Sequence, residues 1–259
     1  MAAFILNQPQ PRASLAADKL RADGHGVVEL AFHRLEPIAD ELTRLSQIDI
    51  TVYDRIVFAS PSSVAFSVPA LAGKIGDDLA SPRVAAIGQG TATVLLETGL
   101  IADDASIIRP RRPPFDSAAL VQLPLMQPGV IESLLVIRGQ QGRTDWIESY
   151  QQAGVRVTCV PIYRSQLIAP SSQVTDTLSN LICNGAAAVI VVGSVSEFTA
   201  LLHWLTAAND KRLLGWMQNQ LTVVPHARIG TALTKAGWTD IRPTMAGQTL
   251  LNAALELAS

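Results

Sequence analysis

Cysteine is almost absent from this chain, since only Cys159 and Cys183 occur among its 259 residues. They lie far apart in the sequence and form no CxxC pair, which argues against a disulfide framework and a structural metal site. Apolar runs are short: none approaches the roughly 18 residues of a membrane-spanning helix. The first ten residues also lack a signal-peptide pattern. We therefore expect a soluble, cytoplasmic protein without metal or membrane contact.

Excess positive charge is missing as well. The formal net charge is -2 and the sequence pI is near 6.1, which argues against a nucleic-acid binder because such proteins present a basic face. Hydrophobic residues make up 48% of the chain and charged residues 16%, a composition typical of a globular protein. A chain of 259 residues is long enough for two domains.

Several catalytic and nucleotide-binding signatures are absent. The sequence has no GxSxG nucleophile elbow, no Walker loop and no GxGxxG fingerprint. It also has no cluster of His, Cys and Asp at metal-ligand spacing. These absences argue against a serine hydrolase, a nucleotide-binding α/β protein and a metalloenzyme.

The most informative stretch that is present runs from Ser133 to Gln166. Its apolar run Leu134–Ile137 predicts a buried strand, and an amphipathic helix and a second strand, Val155–Val160, follow. Such a strand–helix–strand unit implies a parallel sheet. The RGQQGR loop carries Arg138 and Arg143, two donors suited to carboxylate or phosphate, at the start of the helix. A tight turn with two solvated arginines explains the same loop equally well.

This unit has a counterpart at the start of the chain. Phe4 aligns with Leu135 and Arg12 with Arg143, and three later strand–loop–helix segments repeat as well. The paired segments begin at Ile56 and Val189, at Val84 and Leu221, and at Ile107 and Asp240. The repeat predicts two similar α/β domains of flavodoxin/Rossmann-like type.

The order of the repeated segments predicts how the domains are cut from the chain. Residues 1–32 and 171–259 are expected to form one discontinuous domain, residues 36–160 the other, and residues 33–35 and 161–170 a two-stranded linker. A simpler division of the chain near residue 130 fits the same repeat. Because ligands of parallel sheets gather at the carboxyl ends of the strands, we expect an active-site cleft between the domains.

The loops at those strand ends carry hydroxyls, glycines and a few basic residues, but few carboxylates. Such a lining is typical of a site for a polycarboxylate. The candidates are Ser60, Ser62, Ser63, Gly88, Thr91, Arg138, Gly139, Arg143, Tyr163, Ser194, Ser196, His226 and Arg228. Each of these residue types also has an explanation that involves no ligand. The serines and Thr91 would then cap helices, Tyr163 would pack between the domains, and His226 would lie in an exposed loop.

Five segments in order carry a resemblance to a known family. They are IVFASPSSVAF, VAAIGQGTATVLLETGL, LLVIRGQQGR, VPIYRS and VVPHARIGTALTKAGW. Together they resemble the uroporphyrinogen-III synthase family, which implies a cofactor-free lyase that closes hydroxymethylbilane with loss of water and inversion of ring D. The resemblance makes Tyr163 the residue that helps to expel the substrate hydroxyl. It also implies that Ser60, Ser62, Ser63, Gly88, Thr91, Arg138, Ser194 and Ser196 lie in loops that contact the substrate.

Two loops depart from the family pattern. Asn7-Gln8-Pro9 stands where many members have Thr-Arg-Pro, and His226-Ala227-Arg228 stands where many have Gly-x-x-Thr. These departures leave a non-catalytic, two-domain relative that binds a tetrapyrrole or another anion as the alternative. The near-neutral charge and the lack of coiled-coil heptads make a monomer the expected state.

Overall fold

The computed structural model describes residues 3–71, 73–74, 83–112, 114–225, 227–245 and 248–258. The strands are β1 (Ala3–Asn7), β2 (Gly26–Glu29), β3 (His33–Pro37), β4 (Arg55–Phe58), β5 (Val84–Ala86), β6 (Ile107–Ile108), β7 (Ser133–Gly139), β8 (Arg156–Leu167), β9 (Ala188–Val192), β10 (Leu221–Val224) and β11 (Ile241–Pro243). The α-helices are α1 (Arg12–Ala22), α2 (Ala39–Gln47), α3 (Pro61–Leu71), α4 (Gln89–Glu97), α5 (Ser117–Val121), α6 (Asp145–Gln152), α7 (Ser172–Cys183), α8 (Val195–Ala208), α9 (Lys211–Gln218), α10 (Ala227–Lys235) and α11 (Leu250–Ala258). Short 3-10 helices cover Ile50–Val52, Asp104–Ser106 and Pro124–Met126.

The strands form two sheets, and most strands are joined along the chain to the next strand by a helix. One sheet has the order β11-β10-β9-β1-β2 and the other has the order β3-β8-β7-β4-β5-β6. The registered strand pairs in both sheets are parallel. The predicted α/β fold with parallel-sheet cores is therefore confirmed.

The chain folds as two compact units. The first contains Met1–Leu35 and Gln166–Ser259, and the second contains Glu36–Ser165. The chain passes from one unit to the other inside β3 and inside β8. β8 extends from Arg156 to Leu167, so it is longer than the strand Val155–Val160 expected from the sequence.

The repeat in the sequence has its counterpart in the strand order. Position for position, the sheet β11-β10-β9-β1-β2 corresponds to β6-β5-β4-β7-β8. Phe4 lies opposite Val189 and Val27, and its counterpart Leu135 lies opposite Ile56 and Thr158. The predicted repeat is confirmed, and β3 is the additional strand of the second sheet.

Helices cover both faces of each sheet, which explains why the central strands are apolar along their whole length. In the first unit Ile5 and Ile190 belong to one buried cluster, while the adjacent Phe4 and Val189 belong to the cluster on the opposite face. The second unit has the same division, and Leu135 and Leu134 are in separate clusters. Because both faces of each sheet are covered, the polar loops lie at the two ends of the strands.

The Ser133–Gln166 segment forms the unit that its pattern predicted. All residues of β7 are buried, and α6 buries Trp146, Ile147 and Tyr150. Gly154 has a φ of +84°, a left-handed conformation that glycine adopts without strain and that ends the helix. β8 then pairs in parallel with β7.

Candidate active site

The candidate site of the second unit lies where β4, β5 and β7 end. Ser60 follows β4, Gly88 follows β5, and Gly139 is the last residue of β7. The carboxyl ends of parallel strands are the usual position of ligand sites in such sheets. Tyr163 comes to the same edge from β8, because β8 is the neighbour of β7.

A break in the β7–β8 register brings the Tyr163 ring to this edge. Arg138 lies opposite Pro161, but the next residue, Gly139, lies opposite Tyr163, so one residue of β8 is left without a counterpart. Beyond the break, the amide of Gln140 donates to the Tyr163 carbonyl oxygen at 2.7 Å. Such irregularities redirect a side chain while keeping the strands paired.

The Tyr163 side chain contacts Ser60, Phe66 and Gly139. Its hydroxyl oxygen lies 3.0 Å from the Ser60 hydroxyl oxygen, and its ring stacks on Phe66 with centroids 5.6 Å apart and planes 29° apart. The ring also lies against the Gly139 backbone, where an added β-carbon would be 2.6 Å from ring atom Cζ. The phenol is therefore held on its ring and on its hydroxyl group, while the side chain stays half-buried.

The serines after β4 divide into two kinds. The Ser63 hydroxyl is fully buried, donates to the Ser60 carbonyl oxygen at 2.7 Å and accepts from the Ser60 amide at 3.0 Å. The Ser63 amide in turn donates to the Ser60 hydroxyl at 3.0 Å. These contacts fix the turn between Ser60 and Ser63. Ser62 is half-buried in the first turn of α3.

The two arginines of the RGQQGR loop differ in burial and in partners. Arg138 is only 8% exposed, and its guanidinium donates to the carbonyl oxygens of Gly139 and Gly142, each at 2.9 Å. Within the part of the chain that the structure describes, Arg138 forms no ion pair with a carboxylate. Among these described residues, two of its five N–H donors are used and no side chain neutralises the charge.

Arg143, by contrast, is exposed and already paired. Its side chain is 72% exposed and its guanidinium lies 2.8 Å from a carboxylate oxygen of Asp145. The hydrogen bond from Arg143 holds the pKa of Asp145 below its ordinary value, and the same bond raises the pKa of Arg143. Arg143 thus already has a carboxylate partner, whereas Arg138 is bonded to carbonyl oxygens.

Gly88 and Thr91 begin helix α4. Gly88 occupies the N-cap position, where a β-carbon would lie 3.4 Å from Phe115 Cβ. Thr91 is only 3% exposed, and its amide donates to the Gly88 carbonyl oxygen at 3.2 Å. Gly88 thus permits the close approach of the Phe115 segment. Thr91 lies inside α4 rather than at its N-cap, and no side-chain hydrogen bond caps this helix start within the described residues.

The predicted contacts of the first unit lie at the starts of two helices. The Ser194 hydroxyl accepts from the Glu197 amide at 3.2 Å and lies 2.9 Å from the hydroxyl of exposed Ser196. Arg228 is exposed in the first turn of α10. His226 lies outside the described residues.

Sequence reasoning missed a buried carboxylate in the first unit. Glu197 is 1% exposed, and its carboxylate lies 2.7 Å from Nδ1 of His33 and accepts from the Phe32 amide at 3.0 Å. Asn7 Nδ2 lies 3.5 Å from the same carboxylate. Desolvation raises the pKa of Glu197. The Ser-x-x-Glu spacing of Ser194 and Glu197 is typical of a capping box. The Glu197 carboxylate, however, contacts His33 and the Phe32 amide.

Comparison with known protein families shows the family to which this chain belongs. The sequence model described as uroporphyrinogen-III synthase HemD matches residues 14–247, which is most of the chain. The chain belongs to the uroporphyrinogen-III synthase family. Members of this family are enzymes of tetrapyrrole synthesis, with a small-molecule tetrapyrrole as substrate. The resemblance seen in the sequence is thereby confirmed.

Solved structures of the same family are similar to this chain. A mutant uroporphyrinogen III synthase from the extremely thermophilic bacterium Thermus thermophilus shares the fold: it is 14% identical and has a TM-score of 0.53, with 99% of this chain and 96% of that chain covered. The enzyme from Helicobacter pylori 26695 is 11% identical, with a TM-score of 0.49 and coverage of 99% and 100%. The comparison with curated protein sequences gives no significant match.

The two halves of this uroporphyrinogen-III synthase family member differ at equivalent positions. Continuing the matched registers, Phe32 takes the place of Tyr163, and Asn7 takes that of Arg138. Phe32 is buried and packs against Trp204, with ring centroids 6.0 Å apart. The first unit thus carries a buried, acidic contact network at the position where the second unit carries the phenol and the guanidinium.

Two kinds of feature are absent from the residues that the structure describes. None of the helices found there is long and apolar enough to cross a membrane. In the same residues, no three His, Cys, Asp or Glu side chains are grouped so that they could hold a metal ion.

Proposed function

We propose that the protein converts hydroxymethylbilane into uroporphyrinogen III, with loss of water and inversion of ring D. It does so as a lyase that uses no cofactor. The observation that carries this proposal is the half-buried Tyr163 phenol, held by Ser60, Phe66 and Gly139 in a member of the uroporphyrinogen-III synthase family.

Tyr163 acts as the acid in the first step. The phenol proton passes to the hydroxymethyl oxygen as the carbon–oxygen bond of that group breaks, so that the oxygen leaves as water. The pyrrole nitrogen supplies the electron pair that expels it, which is why a mild acid suffices. The azafulvene cation that remains is then attacked by ring D, and the enzyme directs this attack by holding the substrate in a folded conformation. Ring D loses one proton as it regains its aromaticity, and this proton restores the Tyr163 phenol, so that water is the only group lost.

Arg138 binds one of the substrate carboxylates. It is a buried guanidinium with unused donors, and its neighbours within the described chain are carbonyl oxygens rather than a carboxylate. A buried cation of this kind gains most from an incoming anion, because its charge is poorly solvated and unpaired. Substrate binding is expected to use Arg138 more than the exposed, paired Arg143.

Further contacts are proposed at serine, threonine and glycine positions, on the basis of the family resemblance. Two basic residues are added because they follow an apolar strand segment in the sequence, where the loops of such a sheet meet their ligands. Together, the further contacts are Ser62, Gly88, Thr91, Ser194, Ser196, His226 and Arg228. We also propose that the protein acts as a monomer in the cytoplasm, because its net charge is close to zero and its sequence lacks coiled-coil heptads.

Product analysis tests the proposed reaction directly. Freshly generated hydroxymethylbilane is incubated with the protein, and the uroporphyrinogen isomers are separated after oxidation. Because the linear substrate closes spontaneously to the type I isomer, we expect type III product only with active protein. Folded protein that yields type I alone, at the uncatalysed rate, would contradict the proposal and favour a non-catalytic, tetrapyrrole-binding relative.

Two tyrosine variants sharpen this test. Tyr163→Phe removes the acid and should lower the rate of type III formation about tenfold to a hundredfold. Tyr53→Phe removes a hydroxyl of the same unit that is bonded to the Thr158 hydroxyl at 2.9 Å, and it should leave the rate close to that of the unaltered protein. Equal losses in both variants would remove Tyr163 from the mechanism.

A further inference from the structure

The Ser60 hydroxyl has both of its polar neighbours inside the protein. It accepts from the Ser63 amide at 3.0 Å and forms a second hydrogen bond with the Tyr163 hydroxyl at 3.0 Å. A serine hydroxyl has one proton to donate and two lone pairs to accept with. These two contacts therefore leave little capacity for a substrate group.

The position of the Ser60 hydroxyl is fixed by reciprocal hydrogen bonds between Ser60 and Ser63. Ser63 is fully buried and forms four hydrogen bonds with Ser60, through its amide and its hydroxyl. Pro61 follows at the first position of α3, which restricts the same turn. The Ser60 oxygen is thus a fixed point beside the phenol.

The direction of the hydrogen bond matters for acid catalysis. If Tyr163 gives its proton to the leaving hydroxyl, its oxygen has to accept from Ser60, which makes Ser60 the donor in this pair. As the proton leaves, the Tyr163 oxygen becomes negative, and a hydrogen bond to an anionic oxygen is stronger than one to a neutral oxygen. Ser60 therefore stabilises the transition state more than the ground state.

We propose that Ser60 is a positioning residue for Tyr163, which orients the phenol and stabilises it as it loses its proton, and that it does not contact the substrate. This inference rests on the proposed function. It changes the role that the family resemblance gave to Ser60, and it assigns Ser63 the task of holding Ser60 in place.

The first unit shows the same helix start without a phenol. Ser194 also caps its helix, but the chain position equivalent to Tyr163 is Phe32, and the Ser194 hydroxyl lies beside Ser196 instead. A serine at this helix start thus serves as a cap in both units. The contact with a tyrosine hydroxyl is specific to the second unit.

A double-mutant cycle separates positioning from substrate contact. Ser60→Ala should lower kcat about fivefold, the effect of one lost hydrogen bond, with little change in KM. In the Tyr163→Phe background, the same substitution should change kcat by less than about 1.5-fold, because there is no phenol left to orient. A rise in KM, with the same loss in both backgrounds, would overturn the proposal.

The matched control uses another hydroxyl pair of the second unit. Tyr53→Phe removes a tyrosine hydroxyl whose partner is Thr158 rather than Ser60. Ser60→Ala should keep its full fivefold effect in that background. Ser60→Thr retains a hydroxyl and should restore kcat, while Ser60→Gly removes the hydroxyl with less harm to the helix cap, in case the alanine variant folds poorly.

A spectroscopic readout makes the test independent of turnover. The chain has three tyrosines, so protein labelled with 3-fluorotyrosine gives three ¹⁹F signals, and Tyr163→Phe identifies one of them. Ser60→Ala or Ser60→Gly should shift that signal and leave those of Tyr53 and Tyr150 in place. An unshifted Tyr163 signal would overturn the positioning role. Failure of the unaltered protein to form type III product would instead overturn the proposed function.

Discussion

The Tyr163 ring lies against the backbone of Gly139, so closely that a β-carbon on Gly139 would be 2.6 Å from Cζ and 2.9 Å from the hydroxyl oxygen. Gly139 is needed for this close approach rather than for a left-handed backbone, since its φ lies outside that region. The missing side chain therefore determines where the phenol can lie.

Gly139→Ala should displace the Tyr163 ring and lower kcat at least tenfold. The overpacking should also cost about 1–3 kcal/mol of stability. The control is Gly26→Ala, since Gly26 also lies in a strand but has open space around its α-carbon. Rates are measured by type III formation and stability by urea unfolding. A Gly139→Ala variant with unchanged kcat would show that the ring position does not limit the reaction.

The two arginines of the RGQQGR loop should respond differently to replacement by lysine. Arg138→Lys loses the fork of donors in a buried place, so we expect KM to rise about tenfold. Arg143→Lys should have a smaller effect, because Arg143 is exposed and bonded to Asp145. The measurement is the substrate dependence of type III formation. A larger rise in KM for Arg143→Lys would reverse the assignment of the anion contact.

Most of the fold was predictable because short sequence patterns indicate its strands and the ends of its helices. Strands such as Leu134–Ile137 are apolar on both faces, as buried parallel strands are, and Gly154 ends α6 where the helical pattern stops. The repeat predicted two similar domains, and Phe4 and Leu135 do have equivalent neighbours in the two sheets.

The contacts within the candidate site were not predictable in the same way. The Gly139–Tyr163 approach depends on a register break between two strands, and the His33–Glu197 contact joins residues 164 positions apart. Burial of Arg138 and the inward turn of the Ser63 hydroxyl also depend on tertiary packing. A sequence pattern indicates which residue types reach a strand end, but their partners depend on the folded geometry.

Asp54 should stabilise the second unit at neutral pH. Its carboxylate accepts from the amides of Glu132 at 2.8 Å and Ser133 at 2.9 Å, and the hydrogen bond from the Glu132 amide is the main reason that the pKa of Asp54 is lowered. A lowered pKa means that this stabilisation is present above the ordinary value of 3.8 and is lost as the pH falls through the folded-state pKa.

We expect Asp54→Asn to lower the free energy of unfolding by roughly 1–2 kcal/mol at pH 7. The difference from the unaltered protein should shrink as the pH is brought below 3.8. Urea unfolding at a series of pH values measures it. Asp176→Asn, on the exposed surface of α7, is the control and should change stability by less than about 0.5 kcal/mol. A difference that is constant with pH would contradict the charged role of Asp54.

Glu197 should show the opposite pH dependence. Desolvation raises its pKa above the ordinary value of 4.5, so the folded state binds the proton more tightly than the unfolded state does. The protonated Glu197 side chain therefore contributes to the free energy of unfolding in full below that ordinary value. This contribution is lost as the pH rises through the folded-state pKa. His33 and the Phe32 amide offset part of this loss, because both contact the carboxylate.

Glu197→Gln removes the titration but keeps an oxygen that can accept from the Phe32 amide. Relative to this variant, we expect the unaltered protein to lose stability as the pH is raised from 4.5, with a plateau above the folded-state pKa. Glu197→Ala should be the less stable variant by about 1–3 kcal/mol, because it leaves the buried Phe32 amide without an acceptor. A relative stability that rises with pH would show that the contact with His33 outweighs the desolvation of the carboxylate.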